Sequence, residues 1–215
     1  MAVYTALGAE ELAEIVGCFD VGTLISAKGI AEGVSNSNWL IETENAAGEH
    51  ARFILTMYEE RTDVGDLPFF LGLLDHLAGR GCPVPRTIHD RENRAFRLHG
   101  GKALALIEFL PGISVSAATP GHVHAVGMAL AQVHLAAADF PGSRENGMGP
   151  AAWRKLIDAC GAQGMASINS GLSGLAGREM AAIETHWPSD LPRGVIHADL
   201  FPDNVLMLGE TVTGL

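Results

Sequence analysis

The apolar residues of this chain change their period at Pro111 and Gly112. Before that point they run or alternate over short stretches, 23–28, 37–43 and 51–58, broken by Gly29, Gly33 and a turn at 45–48, which is a strand-like pattern. Beyond it they recur at i, i+3 and i+4 over much longer stretches, the spacing of amphipathic helices. Strands gathered in one part and helices in the other cannot alternate as βαβ units. The pattern therefore predicts an α+β fold on an antiparallel sheet.

In the first part, residues 8–17 read as a short amphipathic helix ahead of the strands. Residues 66–79 read as a second helix, with Leu67, Phe70, Leu71, Leu74 and Leu77 on one stripe and Asp66 and Pro68 at its capped start. Short strands follow near 86–88, 95–98 and 103–109, and the whole is expected to be a five-stranded sheet with one inserted helix. The second part reads as helices over 119–138, 153–164 and 175–187, with the glycine-rich stretch 161–177 as its most loop-like region. The expected division is 1–108 and 109–215.

Near the end, His197, Asp199 and Asn204 stand in an H-x-D-x-x-x-x-N spacing. That spacing suits phosphoryl transfer, in which a carboxylate takes the acceptor hydroxyl's proton and an amide five residues on ligates Mg²⁺. Residues 194–197 read as a short buried strand entering the loop and 205–208 as one leaving it. Asp199 is thus the candidate catalytic residue, Asn204 the candidate metal ligand, and His197 a structural member holding the loop. The alternative is a polar loop capped by its own Asp and Asn.

Two further segments carry candidate residues for a nucleotide. Gly29, Gly33, Ser35, Asn36 and Ser37 lie between two predicted strands, where a tight turn can offer backbone N–H groups to phosphate oxygens; a plain hairpin is the other reading. Glu108 and Leu110 lie where an apolar strand stops at Pro111 and Gly112, a place for backbone contacts to adenine or simply a buried strand and turn. His122, His124 and His134 do not form a ligand set on a helix and read as structural.

The chain has 215 residues, 14 Lys and Arg against 25 Asp and Glu, and a formal charge of −11. Nucleic acid is an unsuitable partner, because neutralising its phosphates needs a cationic surplus. Cys18, Cys82 and Cys160 are widely spaced and read as reduced, buried thiols rather than a disulfide frame or zinc site. No signal peptide or membrane span is legible, so a soluble cytoplasmic protein is expected. Oligomeric state is not legible.

The segments 28–38 (KGIAEGVSNSN), 53–59 (FILTMYE), 67–74 (LPFFLGLL), 83–86 (PVPR) and 197–205 (HADLFPDNV) together resemble the bacterial homoserine kinases of the protein-kinase-like type, relatives of choline kinases and aminoglycoside phosphotransferases. The resemblance implies a two-lobed kinase-like fold, with a nucleotide-binding sheet in 1–108 and a partial, mostly helical second lobe carrying the catalytic loop in 109–215. It implies ATP and Mg²⁺ as cofactors and L-homoserine as the small-molecule substrate, phosphorylated on its side-chain hydroxyl on the way to threonine. Choline, methylthioribose or an aminoglycoside on the same machinery is the neighbouring alternative, and an inactive nucleotide-binding fragment is another.

Two features depart from the family pattern. Thr56 stands where a Lys or Arg usually meets the α- and β-phosphates, with Lys28 as a substitute by nearness in sequence, and Gly72 stands near the expected partner Glu. The family's metal-binding Asp follows a strand that here is the final stretch 211–215. The chain is accordingly expected to be a shortened form, less stable and less active than a longer one, with unpaired strand edges at its end.

Overall fold

The computed structural model describes residues 5–30, 36–59 and 63–215. The chain divides into two compact units, 1–142 together with 194–215, and 143–193.

The first unit is built on a sheet of six strands, β1 (Thr23–Ile30), β2 (Asn36–Glu44), β3 (His50–Tyr58), β4 (Thr87–Ile88), β5 (Arg97–His99) and β6 (Lys102–Glu108). The order is β1-β2-β3-β6-β4, with β5 pairing off this path to β6, and every pairing is antiparallel. All six stretches read as strands pair into the sheet, one more than the five-stranded count expected, with β5 pairing over only three residues, Arg97 to His99, as the first arm of a hairpin onto β6.

Strict alternation gives this sheet two different faces. On one, Trp39, Ile41, Leu55, Met57, Leu104 and Leu106 are buried against Leu12, Ile15 and Val16 of helix α1 (Ala9–Val16). Full burial of each aliphatic side chain contributes roughly 1.5–3 kcal/mol. On the other, Ala103 and Ala105 meet Leu67 and Leu71 of α2 (Leu67–Gly79). Alanines there let the helix approach closely. Asp66 takes the N-cap position of α2 and Pro68 stands in its first turn, while Asp63 caps a preceding 3₁₀ turn, accepting from the Gly65 N–H at 2.8 Å.

Two expectations fail in the rest of the chain. Residues 194–197 form no strand: Val195 packs into the cluster around Leu77 and Val133, whereas Ile196 points outward at 63% exposure, so no ladder partner is available. In the second unit the glycine-rich stretch is mostly helical, within α4 (Pro150–Ile168) and α5 (Leu172–His186). Gly161 alone, at φ 64°, absorbs the break as a kink, and the turn lies at 169–171. Trp153 and Trp187 meet edge to face at 5.6 Å, and Arg154 forks onto Glu184 at 3.0 and 2.7 Å.

Helix α3 (Pro120–Ala136) follows the sheet, opened by Thr119, whose hydroxyl accepts from His122 N–H while His122 Nδ1 accepts from Thr119 N–H, both at 3.2 Å. This is a capping box with His in the reciprocal position, and it confirms a structural His122. Strands β7 (Leu206–Leu208) and β8 (Thr211–Gly214) form a hairpin. The edge expected to be unpaired at the end is tied down: β8 lies along β7, and Leu215 N–H donates to Pro83 carbonyl oxygen at 2.9 Å. Of the thiols, Cys82 is buried, Cys18 is half-buried and Cys160 is exposed, so burial holds for one of three. Among the described residues no helix is long and apolar enough to cross a membrane.

Asp90 organises the link from β4 to β5. Its buried carboxylate accepts from the N–H groups of Glu92 and Arg94, both at 2.9 Å, and from the Arg94 and Arg97 guanidiniums at 2.9 and 2.5 Å. Burial would raise its pKa, but the Arg94 N–H and the two guanidiniums outweigh that and hold it far below the usual carboxylate range. A depressed folded pKa stabilises above the unfolded value, ~3.9, and that stability is lost as pH falls below it. Thermal unfolding of Asp90→Asn beside the parent should show a large difference that stays constant from about pH 6 to about pH 4.5 and narrows only as the pH falls below about 4. A difference independent of pH would exclude the carboxylate charge as the cause.

Candidate active site

The catalytic-loop residues are brought together by the backbone rather than by a cavity. Phe201 N–H donates to Asp199 carbonyl oxygen at 3.0 Å, and a 3₁₀ turn at Pro202–Asn204 returns the chain, with Asn204 N–H on Phe201 carbonyl oxygen at 2.9 Å. Asn204 Nδ2 then reaches back to Asp199, 2.7 Å from its carbonyl oxygen and 3.3 Å from Oδ2. The amide thus fixes both the backbone and the carboxylate of the candidate base. His197 Nδ1 accepts from Asp199 N–H at 3.4 Å. Asp199 itself is exposed, with its carboxylate open to an incoming hydroxyl.

Ala198, between His197 and Asp199, has φ 64°, in the left-handed region that costs a non-glycine residue energy. Such a conformation persists only when neighbours over-determine it, and here the bonds on each side do so. Beneath the loop, Val205 and Met207 are buried, and Leu200, Pro202, Val205 and Met207 join Val115 and Val126 around an apolar cavity of about 180 Å³. A cavity of about 670 Å³ between α2 and residues 89–98 shares no lining residue with the loop.

Met207 and Ile113 exchange backbone hydrogen bonds, at 3.0 and 3.1 Å, as an isolated antiparallel bridge. This bridge ties the catalytic hairpin to the segment leaving β6. Gly112 makes the approach possible: at φ 148° it lies where an added Cβ would fall 2.5 Å from Thr213 Oγ1 and 2.9 Å from Leu206 Cβ. Glu108, at the end of β6, donates its N–H to Arg86 carbonyl oxygen at 2.9 Å and accepts the Arg86 N–H on Oε2 at 3.1 Å. Phe109 carries the Arg52 guanidinium over its ring at 4.5 Å. Leu110 packs beside Gly214.

Of the glycine-loop candidates, Gly33 and Ser35 lie outside the described residues. Gly29 lies on β1, and Asn36 and Ser37 open β2. Strand register separates the last two. Ser37 is fully buried on the α1 side, and its hydroxyl donates to Glu59 Oε1 at 2.6 Å. Glu59 also accepts from Thr5 at 2.9 Å and pairs with Lys102. Burial pushes the Glu59 carboxyl up, but its bonds with Lys102, Ser37 and Thr5 hold it below the usual range. The Ser37 hydroxyl is therefore committed to structure.

Asn36 lies on the other face, opposite Tyr58, and beside it Asn38 stands opposite Thr56. Thr56 Oγ1 donates to Asn38 Oδ1 at 2.8 Å. The next row on this face, Lys28, Leu40, Ile54 and Ile107, runs across β1, β2, β3 and β6. Its apolar members are only half-buried, whereas the row behind it on the α1 side is closed. A half-open apolar strip flanked by amides offers a floor for a flat base with a polar tail. Sequence reasoning missed this strip, although the alternation of β2 carried the signal.

The residues present fit Mg²⁺ held in part by substrate. Asn204 Nδ2 is turned onto Asp199, leaving Oδ1 as a hard oxygen donor of the kind that ion takes. Among the described residues no group of three or more His, Cys, Asp or Glu could hold an ion alone. Mg²⁺ commonly takes few protein ligands and completes its shell with water and phosphate oxygens.

Residues 26–215 match the sequence profile of the phosphotransferase enzyme family. The chain belongs to that family. Along all 215 residues it is 45% identical to a homoserine kinase of Azorhizobium caulinodans and 46% identical to one of Nitrobacter hamburgensis, spanning 65% and 64% of their lengths. In fold it is similar to the spectinomycin phosphotransferase APH(9)-Ia, solved with ADP and spectinomycin, with a TM-score of 0.68 at 16% identity over 98% of this chain and 69% of that one. An aminoglycoside phosphotransferase of Alicyclobacillus acidocaldarius gives 0.58 at 17% identity over 98% and 66%. The antiparallel sheet with its packed helices is the α+β architecture of these phosphotransferases.

Gly112→Ala should destabilise the protein by roughly 1–3 kcal/mol, because the backbone is strained and the new Cβ overlaps Thr213 and Leu206. Thermal unfolding reads this as a fall of about 2–4 °C per kcal/mol for a domain of this size. An unchanged midpoint would show that the hairpin can be displaced freely.

Proposed function

We propose that this protein is an ATP-dependent homoserine kinase, transferring the terminal phosphoryl group of ATP to the side-chain hydroxyl of L-homoserine on the way to threonine. One observation carries the chemistry: Asp199 is exposed, yet its backbone and carboxylate are latched by Asn204. The acceptor rests on the identity along the whole chain to proteins named homoserine kinase. Under this reading residues 1–108 form the nucleotide-binding lobe and 109–215 part of the second lobe. The site is cytoplasmic, where ATP and reduced thiols coexist.

Asp199 Oδ accepts the acceptor's proton as that hydroxyl oxygen bonds to the terminal phosphorus. The bond from phosphorus to the bridging oxygen breaks, and ADP leaves. His197 and Asn204 keep the carboxylate aimed, so little reorganisation is needed during reaction. Leu40, Ile54 and Ile107 support adenine, with the backbone at Glu108 and Leu110 beside its edge. Gly29 and Asn36 border the phosphates. Asn204 Oδ1 would hold Mg²⁺, which when bound would supply charge neutralisation at the phosphate oxygens.

Asp199→Asn should lower turnover of L-homoserine by about 10²-fold or more while ATP affinity changes by less than about twofold. Coupled ADP release and calorimetric ATP titration measure the two quantities separately. Near-normal turnover would remove Asp199 from the mechanism. Activity on an aminoglycoside or choline but not on L-homoserine would replace the acceptor.

A further inference from the structure

A polyanion must be held by a chain whose formal charge is −11, so the question is which cation on the open face of the sheet can meet it. Register decides which side chains share that face, because residues directly opposite in an antiparallel ladder point the same way. Lys28 is opposite Leu40, Leu40 opposite Ile54, and Ile54 opposite Ile107. The adjoining row is Ile30, Asn38, Thr56 and Ala105. Lys28 therefore stands at the edge of the apolar strip and one row from the Asn38–Thr56 pair.

The competing cations are engaged or misplaced. Arg52 shares the face but is stacked on Phe109. Lys102 opens β6 on the opposite face and is bound to Glu59 and Thr5. Lys28 is exposed and, among the described residues, makes no hydrogen bond or ion pair. Its nearest carboxylate on the face by register is Glu42, next along β2, which accepts from Ser26 Oγ at 2.8 Å. A flexible four-carbon stem lets an ammonium on an edge strand fold over a ligand lying on the strip.

We propose that Lys28 pairs with the phosphates of a bound nucleoside di- or triphosphate, taking the place of the cation that Thr56 cannot supply. The Asn38 amide, oriented by the Thr56 hydroxyl on its Oδ1, adds a neutral donor beside it. This inference rests on the nucleotide-binding reading. It makes Lys28 a determinant of affinity for the phosphate chain and leaves recognition of the base to the apolar strip.

Lys28→Gln and Lys28→Arg, compared with the parent by calorimetric titration with ADP and with adenosine, test it. The Gln variant should bind ADP about tenfold more weakly, keep adenosine affinity within about twofold and unfold at the parent temperature; the Arg variant should recover ADP affinity to within about threefold. Unchanged ADP affinity in the Gln variant, or equal loss for ADP and adenosine, would overturn the assignment. A parent protein that binds neither ligand would remove the nucleotide reading itself, and Lys28 with it.

Discussion

A single residue pair holds the β7–β8 hairpin against the segment leaving the sheet. Ile113 and Met207 exchange both backbone hydrogen bonds, and Gly112 clears the space for β7 and β8 to come that close. Two bonds contribute little net energy, each about 1 kcal/mol. Their importance is geometric: the last pairing of β6, at Glu108, lies only five residues before Ile113. Buried Val205 and Met207 then hold the 197–204 loop on apolar ground. Leu215, bonded to Pro83 and packed beside the Leu77 and Val133 cluster, supplies a second anchor.

The sheet keeps its closed and its half-open face apart by alternation alone. On the α1 face, Ser37, Glu59, Lys102 and Thr5 satisfy one another, and the aromatic and aliphatic rows beside them are closed. On the other face Asn36 and Asn38 are half-buried, Thr56 is buried, and Leu40, Ile54 and Ile107 are incompletely covered. Neighbours in sequence such as Ser37 and Asn38 thereby take unrelated roles. A one-residue slip would exchange the two sets, which is why burial of the α1 face matters to the site as well as to stability. Ala198 adds a local cost in the same spirit, since its positive φ turns the peptide so that His197 and Asn204 can both reach Asp199.

Much of this was legible in the chain itself. The change of period at Pro111 marked where strands give way to helices, because side-chain periodicity is set by backbone geometry. The loop at 197–204 was legible because its chemistry depends on short-range spacing. What spacing does not carry is partnership between distant strands. Residues 194–197 read as a strand and pair with none; 161–177 read as loop, although Gly161 alone takes the break.

Sequence by itself determined the α+β class, the antiparallel sheet, the spacing that makes Asp199, Asn204 and His197 candidates, and the lack of a cation at Thr56. These follow from residue type and local period, which act over a few bonds. Tertiary structure alone decided that Ser37 faces α1 and that Asn38 meets Thr56. It also decided that Lys28 shares a face with Leu40, Ile54 and Ile107. Each of those depends on register across a ladder, fixed by which face of the sheet could be buried and by no residue considered alone.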